Sequence, residues 1–251
     1  MHDMEYEDFK KKGFQVFPAI LSDKQILAYK NRLTDVYREQ VEEFGEDNLA
    51  KIGEQNVVRS PFLYDESFRN VFYNNFTKKV VKDILGDHAI LSLQNAIFIP
   101  PYQSHHQSFF HRDIIYQEFT SSRPLSINLY YCLDDYSEDN GGTSFMPASH
   151  KQEKLPLDQN EETPTVKAGS VILFNSMVYH KAGNNKTNQT RCGINNMFTL
   201  PFIKQQIKYP HCLKDKTEDE VLNRLLGFES NEFLSVSDFR NYRLNRKNNA
   251  Q

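Results

Sequence analysis

Between residues 89 and 200 the chain is a succession of short apolar, β-branched or aromatic segments separated by turn residues. Helical periodicity does not interrupt this succession, which favours packed antiparallel sheets over a doubly wound α/β fold. Many short strands of this kind predict a mainly β protein whose core is a double-sheet jelly roll or a similar barrel. The predicted strands cover residues 89–99, 108–112, 125–133, 143–146, 170–175 and 191–200.

Helical patterns flank this β-rich region on both sides. Before it, Ser22 followed by Gln25 has the form of a capping box, ahead of apolar residues at helical spacing. After it, Thr217 followed by Glu220 predicts a second helix start. Because the sequence has no linker rich in Pro, Gly or Ser, we expect a single domain over residues 1–251. Its expected parts are a mainly helical flank packed on the core, the jelly-roll core and a C-terminal helical segment, at residues 1–88, 89–204 and 205–251.

Charge and cysteine content limit the partners that this chain can have. The 30 Lys and Arg residues against 33 Asp and Glu residues give a formal net charge of −3, which argues against nucleic acid as a partner. The sequence has no apolar stretch long enough to span a membrane, and its polar N-terminus has no hydrophobic signal core. The three cysteines fit neither a metal finger nor a disulfide framework. We therefore expect a cytoplasmic protein that acts on a small-molecule substrate, and the oligomeric state stays open.

Two histidines, an aspartate and an arginine stand out within the β-rich region. His111 and Asp113 lie two residues apart, and side chains at this spacing on a strand point to the same side. His180 closes an apolar run over residues 169–180, and Arg191 opens the next predicted strand. Two imidazoles and a carboxylate that leave other positions open are the ligand set of non-haem Fe(II) oxygenases. An arginine set back from such a metal suits the distal carboxylate of a dicarboxylic co-substrate, because guanidinium and carboxylate form a bidentate pair.

Other histidines offer alternative ligands. His105 and His106 follow a Pro-Tyr-Gln-Ser segment and are expected in a loop at the entrance of the site. His150 ends a segment with the character of a turn, so a structural hydrogen-bonding role is favoured over metal ligation. His180 is preferred as the third ligand, because it is expected to end a strand before a Gly-Asn-Asn turn that brings the strand of Arg191 back beside it.

At these residues the chain resembles the phytanoyl-CoA dioxygenase family, of which the ectoine hydroxylases are relatives. The motifs that carry the resemblance are Phe110-His111-Arg112-Asp113, Leu133-Asp134-Asp135, Asn140-Gly141-Gly142, Pro147-Ala148-Ser149-His150, and Gly169-Ser170 leading to His180 and Arg191. Ala148 departs from the pattern, since many members have Gly at this position. The family implies a cupin-like double-stranded β-helix that holds Fe(II) and uses 2-oxoglutarate and O2 as co-substrates.

The resemblance also implies roles for particular residues. The iron ligands would be His111, Asp113 and His180. Arg191 would bind the C5 carboxylate of 2-oxoglutarate, while Gln94 and Asn128 match positions that line the co-substrate site in relatives. The implied reaction is hydroxylation of an unactivated C–H bond of a small polar metabolite, with release of succinate and CO2. Related halogenases have a small residue where this chain has Asp113, so the carboxylate favours oxygenation over halogenation.

Substrate contacts are expected from residues near the ligands and from the strand of Arg191. The candidates around the first two ligands are Phe109, Arg112, Tyr116 and Gln117. On the strand that Arg191 opens, Gly193, Asn195 and Met197 should share the inward side, because strand side chains alternate. The polar segment 151–165 would be a lid or an exposed loop.

Two functions of different classes follow from this pattern. The favoured one is an Fe(II)- and 2-oxoglutarate-dependent dioxygenase. The alternative is a non-catalytic, cupin-like metal or small-molecule binding or sensor protein, which would keep the fold and the metal without turnover. A nucleic-acid demethylase of the same superfamily is opposed by the negative net charge.

Overall fold

The computed structural model describes residues 5–105, 107–114, 118–157, 160–230 and 233–248. Its α-helices are α1 (Glu7–Lys12), α2 (Asp23–Phe44), α3 (Glu46–Lys51), α4 (Arg69–Phe72), α5 (Asn75–Leu85), α6 (Tyr209–Leu213), α7 (Glu220–Leu225) and α8 (Val236–Asn248). Short 3-10 helices lie at Pro61–Leu63, Glu66–Phe68 and Ser149–Lys151. The strands are β1 (Phe14–Phe17), β2 (Val57–Arg59), β3 (Ile90–Ile99), β4 (Ser126–Cys132), β5 (Thr143–Phe145), β6 (Val171–Asn175), β7 (His180–Ala182) and β8 (Arg191–Thr199).

The strands form two antiparallel sheets. The larger one has the order β1-β6-β4-β8-β3-β2, and β5 pairs with β7 in the smaller one. β4 and β8 lie in the middle of the larger sheet, and nearly all of their residues are buried on both faces. This arrangement of two sheets with flanking helices agrees with the mainly β architecture that the sequence predicts.

The longest helix of the N-terminal flank begins where the sequence places its start. The Ser22 hydroxyl accepts a hydrogen bond from the Gln25 amide N–H, and the Gln25 side chain accepts one from the Ser22 N–H, so the capping box is complete. The apolar stripe of α2 is buried through Tyr29, Leu33 and Val36. The stripe therefore attaches the helix to the rest of the protein, as its spacing predicts.

One face of the larger sheet packs against these helices. Ile127, Leu129 and Tyr131 of β4 belong to a cluster that includes Leu33 of α2 and Val80 of α5. Each of these side chains contributes roughly 1.5–3 kcal/mol through burial, as is typical of large apolar residues. The main hydrophobic core thus lies between the sheet and the helices.

The opposite face of the larger sheet turns towards the smaller sheet. Phe145 of β5 stacks on Phe14 with ring centroids 4.5 Å apart, and its ring lies 5.3 Å from that of Phe174 in β6. These aromatic contacts close part of the space between the sheets. A pocket occupies further space between them, lined by residues of β3, β4, β7 and β8.

The predictions for two segments that carry candidate ligands were wrong in their local structure. Residues 108–112 form no regular strand; His111 makes only an isolated bridge with His180. His180 begins β7 instead of ending the preceding strand, because β6 stops at Asn175. There the Asn175 side chain accepts from the Met177 N–H at 2.9 Å, which fixes a turn. The sequence does not indicate this turn, because the residues around it are apolar.

Other differences concern the ends of the chain. β1 and β2 were not predicted, since runs of four and three residues are too short to show a clear alternation. The cap of α7 is Asp219, whose carboxylate accepts from two backbone N–H groups at 3.0 Å, and not Thr217. Every residue of α8 is exposed. Among the described residues, no helix is both long enough and apolar enough to cross a membrane.

Candidate metal centre

Backbone hydrogen bonds bring the ligand-bearing segments together. The N–H of His111 donates to the carbonyl of His180 at 3.0 Å, and the N–H of His180 donates back at 3.1 Å. The N–H of Asp113 donates to the carbonyl of Ser176 at 3.0 Å. Residues almost seventy positions apart therefore present their side chains to one point.

The three predicted ligands form one cluster. One potential ligand atom from each of His111, Asp113 and His180 lies within 4.8 Å of the others. Oδ1 of Asp113 is 3.6 Å from Nε2 of His180 and 3.8 Å from Nε2 of His111. These atoms surround a space that a single cation can occupy.

Both imidazoles are held in the tautomer that a metal requires. Nδ1 of His111 lies 2.9 Å from the carbonyl oxygen of Phe109, and Nδ1 of His180 lies 3.0 Å from that of Val178. A carbonyl only accepts, so each Nδ1 carries a proton, and in the neutral ring Nε2 is the nitrogen whose lone pair is available to a metal. A backbone carbonyl bonded to the far nitrogen of a ligating histidine also fixes the orientation of the ring.

Asp113 and His180 shift each other's pKa, because they lie close together in a buried position. Burial raises the pKa of Asp113, but the nearby charge of His180 and hydrogen bonds, including one from Asn128, lower it more, so the pKa lies below its usual value. Burial lowers the pKa of His180, and the Asp113 carboxylate outweighs this effect, so that pKa is raised. A carboxylate that keeps its charge in a buried position favours a cation beside it. The donor set fits Fe(II), with two neutral nitrogens and one carboxylate oxygen.

Asn128 binds the carboxylate from the side opposite to the histidines. Its Nδ2 donates to Oδ2 of Asp113 at 2.7 Å and to the Ser176 hydroxyl at 2.9 Å. Its Oδ1 accepts from Nδ2 of Asn195 at 2.9 Å. The prediction that Asn128 lies in the site agrees with this position, but its amide is bonded to the ligand Asp113.

Arg191 lies at the inner wall of the same pocket and is buried. Its Nη1 donates to the Tyr130 hydroxyl at 3.1 Å, its Nη2 donates to the Gly141 carbonyl, and its guanidinium stacks 4.3 Å from the centre of the Tyr136 ring. Its Nε is buried and has no hydrogen-bond partner among the described residues. A buried guanidinium with an unused donor fits a bound carboxylate.

Gly193 makes room for the aromatic residues that hold Arg191. A Cβ atom at this position would overlap the Tyr136 hydroxyl and the Tyr130 ring. Strand alternation places Gly193 on the same face as Arg191 and Asn195, as the sequence predicts. The missing side chain is therefore a packing requirement of the arginine site.

The pocket that contains these residues has a volume of about 190 Å³. Asn195 and Met197, which were predicted to contact the substrate, line it. His105, which was expected in a loop at the entrance of the site, lies outside the regular strands and lines the pocket, where it is buried. Among the pocket residues that the sequence analysis missed, Tyr130 could have been found from its position two residues after Asn128.

Gln94 does not lie in the pocket, and its prediction is corrected. Its side chain donates to the Phe68 carbonyl at 3.0 Å and to Oδ1 of Asn196 at 2.9 Å on the helical face of the larger sheet. The neighbour Asn95 lines the pocket instead, together with Arg59 of the unpredicted strand β2. Successive strand residues point to opposite faces, so a shift of one residue exchanges the two roles.

Two proposed substrate contacts are also placed elsewhere. Phe109 is 81% exposed and is not among the residues that line the pocket. Arg112 is buried and donates to the backbone carbonyls of Ser149 and Glu153, and it is not among the residues that line the pocket. The remaining candidates in that stretch, Tyr116 and Gln117, lie outside the described residues, as does His106.

His150 is not a member of the ligand cluster. It belongs to the short 3-10 helix Ser149–Lys151, and its ring packs against Gly13. The preference for a non-ligating role agrees with this position.

The adjoining segment 151–165 is attached to the smaller sheet. Glu162 pairs with Phe145 through backbone hydrogen bonds of 2.9 and 3.0 Å, and the Glu162 carboxylate forms an ion pair with Lys12.

Comparison with known proteins finds one matching family model and several similar proteins. A family model described as phytanoyl-CoA dioxygenase matches residues 9–193. An uncharacterized protein of Mycobacterium tuberculosis is 30% identical over 239 residues, which cover 90% of this chain and 87% of the relative. Dioxygenase cdmD of Talaromyces verruculosus is 26% identical over 176 residues, which cover 63% of this chain and 57% of that protein.

Solved structures share the fold at low sequence identity. EctD from S. alaskensis, crystallised with 2-oxoglutarate and 5-hydroxyectoine, has a TM-score of 0.66 at 16% identity, covering 80% of this chain and 76% of that one. The non-heme alpha ketoglutarate dependent epimerase SnoN from nogalamycin biosynthesis has a TM-score of 0.59 at 15% identity, covering 77% and 78%. This likeness confirms the predicted cupin-like, jelly-roll fold.

The family match extends over most of the chain and includes the segments that carry the ligand cluster and Arg191. It confirms the predicted enzyme class, an oxidoreductase of the dioxygenase type with Fe(II) and 2-oxoglutarate as its cofactors. The chain belongs to the phytanoyl-CoA dioxygenase family.

Proposed function

We propose that the enzyme hydroxylates an unactivated C–H bond of a small polar molecule and releases succinate and CO2. The observation that carries this proposal is the cluster of His111, Asp113 and His180 beside the buried Arg191 in one pocket. A metal ligand set and an anchor for a dicarboxylic co-substrate are the two components that this chemistry needs. The pocket is small, which suits a metabolite better than a polymer.

His111, Asp113 and His180 would bind iron through the two Nε2 atoms and Oδ1 of the carboxylate. Bound Fe(II) supplies the activation of O2 that couples decarboxylation of 2-oxoglutarate to oxidation of the substrate. The protein residues orient these partners. Leu93 and Met197, both buried, line the pocket with apolar surface, which limits access of water.

Arg191 would bind the distal carboxylate of 2-oxoglutarate. Its Nη atoms are held by Tyr130 and by the Gly141 carbonyl, which fixes the plane of the guanidinium before the co-substrate arrives. Preorganisation of this kind reduces the ordering cost of binding. The unused Nε donor is the atom that a carboxylate oxygen would satisfy.

A chain of hydrogen bonds supports a polar substrate. An ionised carboxylate only accepts, so the atom of Asn128 that faces Asp113 must be Nδ2, and Oδ1 must face Asn195. Asn195 therefore donates through Nδ2 and keeps Oδ1 as an acceptor, buried and without a partner among the described residues. 2-Oxoglutarate carries no donor at neutral pH, so this acceptor suits a hydroxyl or N–H group of the substrate. An apolar substrate would leave this acceptor unpaired, whereas a substrate with a hydroxyl or N–H group would satisfy it.

We propose that the enzyme acts in the cytoplasm on a small molecule. A cytoplasmic enzyme is consistent with the free thiols of Cys132, Cys192 and Cys212. The net charge of −3 favours a small molecule over nucleic acid as the partner. We also propose that residues 1–251 act as one domain, since helices from both ends of the chain pack on the same core.

Turnover assays test the proposal. The protein is loaded with Fe(II) under anaerobic conditions and mixed with 2-oxoglutarate and O2, and O2 consumption and succinate are measured with His180→Ala as the inactive control. Candidate metabolites, in pairs that differ by one hydroxyl or amino group, are screened by mass spectrometry for the gain of one oxygen atom. We expect succinate in the wild type and strong discrimination within the active pair. Iron binding without any succinate would favour the non-catalytic binding or sensor alternative.

A further inference from the structure

We propose that Arg112 is a positioning residue that holds the two ligand-bearing segments of the metal centre in register. This inference rests on the proposed roles of His111, Asp113 and His180 as iron ligands. Arg112 lies between the first two of them in the chain, and its side chain is 3% exposed. Arg112 would therefore orient the metal ligands through contacts with the protein, whereas the sequence predicted a contact with the substrate.

The first ligand-bearing segment is held by individual backbone hydrogen bonds to residues 176–182 and does not belong to a regular strand. His111 and Asp113 lie outside the regular strands, and the bridge to His180 is isolated. A ligand set has to be held to within a fraction of an ångström to bind its metal well. Side-chain contacts therefore have to supply the remaining constraint.

The Arg112 side chain contacts two segments, residues 149–153 and Tyr179. Its Nη1 donates to the Glu153 carbonyl at 3.0 Å, and its Nη2 donates to the Ser149 carbonyl at 2.9 Å and to the Gln152 carbonyl. Its guanidinium carbon lies 4.1 Å from the centre of the Tyr179 ring. Tyr179 directly precedes the third ligand, so the residue between two ligands stacks on the residue before the other one.

Ser149 closes this set of contacts. Its carbonyl accepts from Arg112, and its hydroxyl accepts from the Tyr179 N–H at 2.8 Å. The same hydroxyl donates to the Met146 carbonyl at 2.7 Å, and the Met146 N–H donates to the Tyr179 carbonyl at 2.8 Å. The turn after β5 thus joins the side chain behind His111 and Asp113 to the backbone before His180.

The chemistry of arginine matters in this position. Three carbonyls of described residues and an aromatic face contact one planar cation. The guanidinium presents its donors in a fixed fork that can also stack. A lysine ammonium is a point charge on a flexible stem and cannot reproduce both the fork and the stacking. Glutamine keeps some hydrogen-bonding capacity without the charge or the reach.

The test compares metal binding with global stability. Fe(II) affinity is measured anaerobically in the full-length wild type, Arg112→Lys and Arg112→Gln, and the visible spectrum of the Co(II)-substituted protein reports the ligand geometry. Thermal unfolding is followed in the metal-free proteins. Arg69→Gln is the matched control, because Arg69 is a partly buried arginine of α4 in an ion pair with Glu66, away from the pocket residues.

We expect Fe(II) affinity to fall about 10- to 100-fold in Arg112→Gln, as for other residues that orient metal ligands, and less in Arg112→Lys. The Co(II) spectrum should change in both, while Arg69→Gln alters only thermal unfolding. Tyr179→Leu should weaken Fe(II) binding and Tyr179→Phe should not, because only the first removes the ring under the guanidinium.

If Arg112→Gln keeps the Fe(II) affinity and the Co(II) spectrum of the wild type, the positioning role is overturned, whether or not its unfolding temperature changes. If Arg112→Gln does not fold, wild-type affinity in Arg112→Lys and in Tyr179→Leu would overturn it equally. Failure of the wild type itself to bind Fe(II) would instead contradict the proposed ligand roles, so the two failures are distinguishable.

Discussion

Nδ2 of Asn128 donates to Oδ2 of Asp113 at 2.7 Å, while Oδ1 of the same carboxylate faces the Nε2 atoms of both histidines. One carboxylate oxygen is thus bound by the protein, and the other is turned to the place where a metal would lie. The orientation of Asp113 is set before any metal binds. This contact gives the first prediction.

Asn128→Leu should weaken Fe(II) binding about 10- to 100-fold, because the carboxylate loses the donor that orients it. The measurement is an anaerobic Fe(II) titration. Asn196→Leu is a suitable control, since Asn196 is equally buried but bonds to Gln94 and to the Leu129 carbonyl on the other face of the sheet. It should lower the unfolding free energy by about 1–3 kcal/mol and leave Fe(II) affinity near that of the wild type. Equal Fe(II) affinity in Asn128→Leu and the wild type would show that the contact is not needed.

Gly193→Ala should weaken 2-oxoglutarate binding more than Fe(II) binding. The added methyl group would overlap Tyr130 and Tyr136, which hold the guanidinium of Arg191. Overpacking of this kind typically costs about 1–3 kcal/mol of stability. Titrations with each ligand and thermal unfolding measure the three effects. Adding Tyr136→Phe removes one overlapping atom and should recover part of the loss; a variant with unchanged 2-oxoglutarate affinity would speak against this packing argument.

Protonation of His150 should reduce stability in mild acid. Burial, followed by the charge of Lys151, lowers the pKa of His150 from 6.5 to about 4. The unfolded chain takes up the proton below about pH 6.5 and the folded protein only near pH 4, so the unfolding free energy falls as pH decreases across this window. The loss is at most about 3 kcal/mol for a shift of this size. His150→Gln should flatten the dependence in denaturant titrations at several pH values; the same slope in variant and wild type would assign the effect to other groups.

The candidate ligands were visible in the sequence because His111 and Asp113 keep the spacing of two, and because His180 and Arg191 follow within known motifs. Gln94 was placed in the site by the family resemblance, and the strand pattern could not correct this placement. Both faces of β3 are buried, so its hydropathy does not reveal which face turns to the pocket. The contacts of Arg112 join it to residues about 40 positions later, and no local pattern indicates them. Arg59, which lines the pocket, was not predicted because its strand β2 has only three residues.

The ligand roles have a direct test of their own. His111→Ala, Asp113→Ala and His180→Ala should each abolish succinate formation while the far-ultraviolet circular dichroism stays unchanged, because the cores are built from other residues. Loss of secondary structure would show that the side chain supports the fold. Normal Fe(II) binding and succinate yield in His180→Ala would remove His180 from the centre.

The most direct measurement is an anaerobic titration of 2-oxoglutarate into the Fe(II)-loaded protein, followed through the visible charge-transfer band of the chelate. It tests iron binding and co-substrate binding in the same pocket at once. The wild type should develop the band with saturation, and Arg191→Ala should need about 30-fold to several-thousand-fold more 2-oxoglutarate, because one partner of a buried charged pair is lost. Arg191→Lys should recover only part of this affinity, with Fe(II) affinity nearly unchanged in both. No band in the wild type, or the same binding curve in Arg191→Ala, would contradict the account.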